Sequence, residues 1–453
     1  MEELLRDAAE RAIAYLGEVD GRVVAPDATV DLTELGGTFP DDPTDPELVI
    51  KLLDELVGPA TMAIAGPRFF GWVMGGAHPA AVAADWLATA WDQNTAFASA
   101  TPGTVMLEAT ALRWVIEAAG LPDGAWGAFV TGTTMAHVSA LAAATASTLA
   151  TAGWDVVEDG LLGAPPVTVV VGEEAHPSLF KALGLIGLGR GRVTRIAVDD
   201  QGRMLPRLPP IRPPAIVCVQ AGNVNTGAFD PMDRIIPDAK EMGAWAHVDG
   251  AFGFWAAASP RLAHLARGQE LADSWATDAH KYLNVPYDAG LTLVRDPSSL
   301  EKAMSVAASY LPPGEIGHDP MLYTPELSRR ARGIPTWAVL RTLGRSGLIE
   351  KIERTVRLAR RFAERLEEAG FVILNEVVFN QVLVGCGDHA AADRLANLIR
   401  EDGTFFAGPT VWQGKPAIRI SVCSWKTTEL DIDRSAEAMM HLGRAVPELL
   451  PTR

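Results

Sequence analysis

The chain has 453 residues and a formal charge of −17, with 48% hydrophobic and 21% charged residues, the balance of a folded globular protein with room for two or three domains. No run of Lys and Arg offsets that acidity, so neither nucleic acid nor an anionic membrane surface is an expected partner. Three scattered cysteines, Cys218, Cys386 and Cys423, build neither a disulfide framework nor a metal site; a reducing cytoplasm and no metal are expected.

Residues 1–17 mix Glu2, Glu3, Arg6, Asp7, Glu10 and Arg11 with apolar positions, which predicts an amphipathic helix and not the apolar core of an export signal. The Gly- and Pro-rich residues 36–43 break regular structure. A second helix is expected over residues 46–56, with Asp45 as its N-cap and Leu48, Ile50, Leu52, Leu53 and Leu56 near helical spacing. Such an arm often completes its packing on another subunit, so dimerisation is the hypothesis.

From Gly127 onward short apolar runs alternate with helical stretches: 128–131 then 136–152, 167–171 then 178–187, 215–219 then 232–242. That alternation predicts an α/β domain whose mainly parallel sheet is covered on both faces. The Ala-rich stretch 140–152 contains Thr and Ser and falls short of the ~20 apolar residues that span a bilayer, so it reads as a buried helix. Strand candidates at 244–248 and 290–294 flank Lys281, which places that lysine in a turn between sheet elements. A long helix over 347–369 interleaves Arg354, Arg357, Arg360, Arg361 and Arg365 with Ile352, Val356, Leu358, Phe362 and Leu366, a solvated basic face over an apolar stripe. Runs at 372–374, 381–384 and 417–422, with a helix at 390–400, complete a small α+β domain.

Four segments carry chemistry. Lys281 follows His280 within an apolar stretch, and such neighbours favour a neutral, nucleophilic amine. Asp249 ends the apolar run Trp245-Ala246-His247-Val248 and precedes Gly250-Ala251. A buried carboxylate needs a cation, and the protonated pyridine nitrogen of pyridoxal phosphate is one that would make the ring an electron sink. In Thr131-Gly132-Thr133-Thr134 a strand passes into a helix, where backbone N–H groups and the Thr133 and Thr134 hydroxyls suit a phosphate. His176, in Glu174-Ala175-His176-Pro177, is placed to stack on a flat ring. Each motif alone reads equally well as a cap, a turn or an exposed side chain. Their common position at strand ends of one α/β domain points to a single site.

With these residues in hand, the chain resembles the pyridoxal-dependent decarboxylases of group II, which include the glutamate and aromatic-L-amino-acid decarboxylases. The likeness rests on Asp249-Gly250-Ala251 and Asp278-Ala279-His280-Lys281, and extends from Pro67-Arg68-Phe69-Phe70-Gly71 through residues 222–231 to Arg419-Ile420-Ser421. The resemblance implies a fold-type I architecture with a mostly parallel seven-stranded sheet, helices on both faces, an N-terminal arm and a small C-terminal domain. The expected boundaries are 1–65 for the arm, 66–310 for the large cofactor domain, 311–346 for a mobile loop and connecting helix, and 347–453 for the small domain.

It further implies pyridoxal 5'-phosphate as cofactor, a homodimer with shared active sites, and release of carbon dioxide from an L-amino acid. Lys281 resembles the Schiff-base lysine, Asp249 the partner of the pyridine nitrogen, and His176 the ring-stacking histidine. Thr133, Thr134 and His280 match phosphate-side positions, and Ala251 packs near the ring. Asn223, Arg419 and Tyr323 are substrate-side candidates. Phe69, Phe70, Trp72, Trp91 and Phe97 suit either an aromatic or apolar substrate or the core. Two departures stand out. Met135 and His137 replace the acidic residue and Asn frequent in the family's phosphate loop. Pro320 aligns with the catalytic tyrosine of the mobile loop, a role for which Tyr323 or Tyr310 is the substitute. Aldol-type cleavage and oxidative deamination to an aldehyde are therefore the alternatives on the same fold, and a non-catalytic cofactor-binding protein is the alternative of another class.

Overall fold

The computed structural model describes residues 1–306 and 319–446; Tyr310 lies outside them. Two compact units emerge. The larger comprises residues 77–359 and 375–381, and the smaller residues 1–76, 360–374 and 382 onward.

The larger unit is built on seven strands: β1 (Trp126–Val130), β2 (Thr168–Gly172), β3 (Val193–Ile196), β4 (Ala215–Gln220), β5 (Trp245–Asp249), β6 (Ser274–Asp278) and β7 (Gly290–Val294). Their order is β1-β7-β6-β5-β4-β2-β3. The pairs β2–β3, β2–β4, β4–β5 and β5–β6 are parallel, and β7 runs against both β1 and β6. This is the fold-type I α/β architecture. Every residue of β1, β4, β6 and β7 is buried, both faces being covered by helices, which is why β1, β4 and β7 read as mainly apolar runs. The helix Thr133–Thr151 packs small side chains, among them Ala136, Ala140, Ala143 and Ala144, into the sheet. Outer β3 is only partly buried and its Thr194-Arg195 carry no apolar signature, so the sequence pattern passed over it. The pattern also passed over the helices Pro79–Trp91 and Pro102–Ala118.

The arm holds the helix Glu2–Glu18, which has no buried residue. The helix begun by Pro46 is shorter than its spacing suggests, running Pro46–Leu52 before a π-helical turn at Leu53–Val57. Asp45 caps it as expected, accepting from the Glu47 amide at 3.0 Å. The basic helix begins close to the expected start: helical structure runs over Gly333–Glu368 but breaks into two helices at Gly344, whose φ of 60° is not helical, and the first of the two was expected only as a connecting helix somewhere within 311–346. Its apolar stripe, Ile352, Val356, Phe362 and Leu366, is buried. Arg361 pairs with Asp433 at 2.8 Å within the smaller unit. That unit also carries a three-stranded sheet, β8 (Gln381–Gly385), β9 (Gly408–Trp412) and β10 (Lys415–Ser421), in the order β8-β10-β9. Residues 372–374 contribute only a bridge, Ile373 to Val384.

Candidate active site

The C-terminal ends of β1, β2, β5 and β6 deliver Thr133, His176, Asp249 and Lys281 respectively. Beyond β1 the chain passes Gly132 and enters the helix at Thr133, a start to which Gly132 itself brings no capping side chain. The Thr133 amide donates to Asp278 Oδ1 at 2.7 Å. Gly290, the first residue of β7, must be bare because the chain at Gly132 crosses directly over it: a Cβ on Gly290 would lie 2.4 Å from the Gly132 Cα. Two glycines thus bring the helix start down onto the sheet edge.

Asp249 is 4% exposed, and its Oδ1 accepts from the Ala251 amide at 3.2 Å. The Ala251 carbonyl in turn accepts from the Asp278 amide at 3.1 Å, so the β5 turn is tied to the segment bearing Lys281. Burial alone would push the Asp249 carboxyl up, yet His137, His176 and Lys281 together hold it below the usual carboxylate range. The carboxylate is therefore ionised in a nearly dry setting.

Lys281 sits in the short helix Ala279–Tyr282. Its Nζ lies 3.1 Å from Asp278 Oδ2, and its side chain keeps 20% exposure, enough to be reached. Asp278 is itself held below the carboxylate range: burial opposes this, and Lys281 and His280 outweigh it. The His280 ring accepts from the Ala289 amide at Nδ1, 3.1 Å, which leaves the proton on Nε2. Burial lowers its pKa, and Tyr287 lies against it at 4.3 Å between ring centroids. His176 Nδ1 accepts from the Ser178 amide at 3.2 Å, so its Nε2 also carries the proton.

The substrate-side candidates are more dispersed. Asn223 is buried, with its side-chain oxygen accepting from the Asn225 and Thr226 amides at 2.8 and 3.2 Å; it organises a turn. Tyr323 is 2% exposed, and burial, followed by Glu301 and Asp319, pushes its hydroxyl up to about 12. Arg419 lies on β10 of the smaller unit, where burial lowers its pKa. Phe69 stacks on Phe406 at 5.1 Å and Phe70 meets Phe362 edge-on at 5.5 Å, so packing accounts for both. Trp72 and Trp91 remain 52% and 48% exposed.

Sequence reasoning missed three residues. Asp278 is read from the motif only as a neighbour of Lys281, yet it contacts both that amine and the helix start. His247, two residues before Asp249 and so on the same face of β5, had a signal in its spacing. His137, one turn beyond Thr133, was noted only as a departure. Among the described residues no helix is long and apolar enough to cross a membrane, and Cys218, Cys386 and Cys423 are buried free thiols.

Residues 30–384 match the family model described as the pyridoxal-dependent decarboxylase conserved domain. An aromatic-L-amino-acid decarboxylase of Bacillus atrophaeus is 26% identical over 374 residues, 79% of this chain and 76% of that protein. The acidic amino acid decarboxylase GADL1 of Mus musculus is 29% identical over 331 residues, 70% of this chain but 59% of that protein, so the chain spans less than two thirds of this relative. Among solved structures, Oryza sativa TDC with PLP and tryptamine superposes with a TM-score of 0.89 at 24% identity, covering 98% of this chain and 97% of that one. Mouse CSAD gives 0.87 at 23% identity, with 98% of each chain covered.

Proposed function

We propose that this chain, which belongs to the pyridoxal-dependent decarboxylase family, is a pyridoxal-phosphate-dependent decarboxylase that releases carbon dioxide from an L-amino acid. The observation that carries the reading is a buried, ionised Asp249 tied through Ala251 to the strand end that presents Lys281. An isolated anion in that position is costly, and a protonated ring nitrogen is the partner that makes it productive. The residues fit the cofactor: Lys281 would hold it covalently through Nζ, and Asp249 would keep the proton on the ring nitrogen. The helix start beyond Gly132, with Thr134 and the Thr133 hydroxyl, would take the phosphate, the Thr133 amide being held by Asp278. When bound, the cofactor supplies an electron sink for charge developing at the substrate α-carbon.

The remaining roles belong to side chains of this protein. His176, fixed by Ser178 with its proton on Nε2, presents that N–H from beyond β2 to the ring face. Ala251 keeps the floor of the site shallow. His280, anchored by the Ala289 amide, holds the phosphate side of the lysine turn. Asp278 holds the Lys281 ammonium in place. The substrate is an aromatic or apolar amino acid by this reading, in keeping with the Bacillus relative's name. Exposed Leu5, Ile13, Leu48 and Leu53 on the arm helices support a homodimer, and a cytoplasmic setting suits three free thiols.

A screen of the common L-amino acids with mass-spectrometric product analysis, run beside borohydride reduction and peptide mapping, tests the reading. Carbon dioxide with the matching amine, and a pyridoxyl adduct on Lys281 that is lost in Lys281→Ala, are the expected results. Glycine plus an aldehyde, or no adduct, overturns them. The second reading, an aldehyde-forming deaminase, draws on Pro320, which is buried in a 3-10 turn where a tyrosine is expected, and on likeness to a 4-hydroxyphenylacetaldehyde synthase of Rhodiola rosea, 26% identical over 335 residues. Aldehyde, ammonia and peroxide in place of the amine would select it.

A further inference from the structure

Behind Asp249, on the side of the helix Thr133–Thr151, two histidines lie wholly inside the protein. His137 and His247 are both 0% exposed. His137 Nδ1 is 2.9 Å from His247 Nε2, and the rings meet edge to face at 5.1 Å. His137 Nε2 lies 3.5 Å from Asp249 Oδ2. At the other end His247 Nδ1 is 2.8 Å from Ser274 Oγ, which also accepts from the indole of Trp245 at 2.8 Å. We propose that His137 and His247 form a two-imidazole relay, anchored at Ser274, that orients Asp249 and turns a ring N–H of His137 toward its carboxylate. Both are positioning residues. This rests on the role of Asp249 in the proposed function and extends it to residues that touch neither substrate nor cofactor.

Proton bookkeeping gives the relay a direction. The Trp245 indole can only donate, so Ser274 is free to turn its own proton toward His247 Nδ1. His247 must then carry its proton on Nε2, where it donates to His137 Nδ1. That leaves the His137 proton on Nε2, facing the carboxylate. Each hydrogen-bonded link donates toward the next, and the last N–H, on His137 Nε2, stands 3.5 Å from Asp249 Oδ2, a charge contact longer than a hydrogen bond. Burial, then His137, pushes the pKa of His247 down to about 3, so His247 stays neutral and carries a single ring proton. The other groups facing Asp249 are His176, Lys281, Cys218 and Asp230. A packed aromatic pair would explain the burial but not the hydrogen bonds that join Ser274, His247 and His137, since a phenyl ring fills the same space without a desolvation cost.

The test is made on the full chain. His137→Phe removes both nitrogens at similar volume, Ser274→Ala cuts the far end with little change in size, and His137→Gln restores one donor. Two readouts are used: the pH titration of the visible band of the cofactor-loaded protein with its cofactor dissociation constant, and solid-state 15N spectra of the histidine-labelled protein without added cofactor. The expected results are a His137 imidazole protonated at Nε2, a titration midpoint moved by about one pH unit in His137→Phe, roughly tenfold weaker cofactor binding, and partial recovery in His137→Gln. An unprotonated His137 Nε2, or a titration unmoved in both His137→Phe and Ser274→Ala, overturns the relay. If His137→Phe does not fold, Ser274→Ala and the wild-type spectra decide. A colourless protein refutes the cofactor reading, while the 15N spectra still decide the relay.

Discussion

Glu108 and Arg329 form the most deeply buried ion pair among the described residues, with side chains 1% and 0% exposed and 2.8 Å between Arg329 Nη2 and Glu108 Oε1. A second contact, from Arg329 Nη1 to Oε2, is 3.0 Å. The same guanidinium donates to the Thr95 and Phe129 carbonyls at 2.6 and 2.7 Å. Phe129 lies on β1, three residues before Gly132, so the pair holds the strand that feeds the phosphate loop. Glu108→Ala strands a cation in a dry interior, which costs about 3–5 kcal/mol. Glu108→Gln keeps an acceptor and costs about 1–3 kcal/mol. Removing both charges, as Glu108→Leu with Arg329→Met, frees two carbonyls but leaves no buried charge, so it costs less than the sum of its single changes by about 2 kcal/mol or more. Urea unfolding followed by tryptophan fluorescence measures all of these, and cofactor titration should show weaker binding in Glu108→Ala. Additivity within about 0.5 kcal/mol in the double-mutant cycle, or a Glu108→Ala cost below about 1 kcal/mol, would refute the reasoning.

Gly290→Ala forces a Cβ to within 2.4 Å of the Gly132 Cα and should cost about 1–3 kcal/mol with at least tenfold weaker cofactor binding. Gly124→Ala, with open space around its Cβ, should change neither, and equal effects by calorimetry and cofactor titration would contradict the close-approach account. His247, Asp249 and Asp278 make contributions to stability that are lost on acidification in two windows, while buried Asp230, pushed up to about 7, makes one that grows from about pH 7 down to about pH 4. His247 has its folded pKa depressed to about 3, so from about pH 6.5 downward the unfolded chain takes up a proton that the folded chain does not, a loss of up to about 1.4 kcal/mol per pH unit. Asp249 and Asp278 also have depressed folded values; their contribution is present above about pH 4 and is lost as pH falls through those lower values. Urea titrations at stepped pH check these, and His247→Phe should remove the loss in the upper window while leaving the lower one. Light scattering should give twice the chain mass, 48.2 kDa, if the exposed arm helices pair.

What was legible in the sequence follows from where the controlling forces lie. Buried parallel strands advertise themselves as apolar runs because water is excluded from both faces, so β1, β2, β4, β5 and β7 were visible within a residue or two. β6 was not, because its five residues, Ser274-Trp275-Ala276-Thr277-Asp278, mix polar and apolar side chains and are buried through their neighbours. The basic helix expected over 347–369 was visible in its periodicity, while the helix from Gly333 to the break at Gly344 was expected only from the resemblance. Lys281 and Asp249 were picked out by their immediate neighbours, His280 beside the lysine and the apolar run and Gly250-Ala251 around the aspartate; Asp249 ends β5, and Lys281 follows the end of β6 by three residues.

Asp278 and His137 show where local reading stops. The contact from Asp278 to the Thr133 amide spans 145 residues, and the one between His137 and His247 spans 110; neither partner hints at the other. What joins them is the strand order, which places β5 and β6 side by side and lays the helix that follows β1 across both. A residue one turn into that helix is then carried over β5, where the same-face positions are those of His247 and Asp249. An imidazole at residue 137 thus has no meaning until the sheet is assembled, and then its surroundings leave it a single useful orientation. The charge state of Asp249 is accordingly a property of the fold: the carboxylate is supplied by β5, while the groups that keep it ionised arrive from a helix, a loop and a turn far apart along the chain.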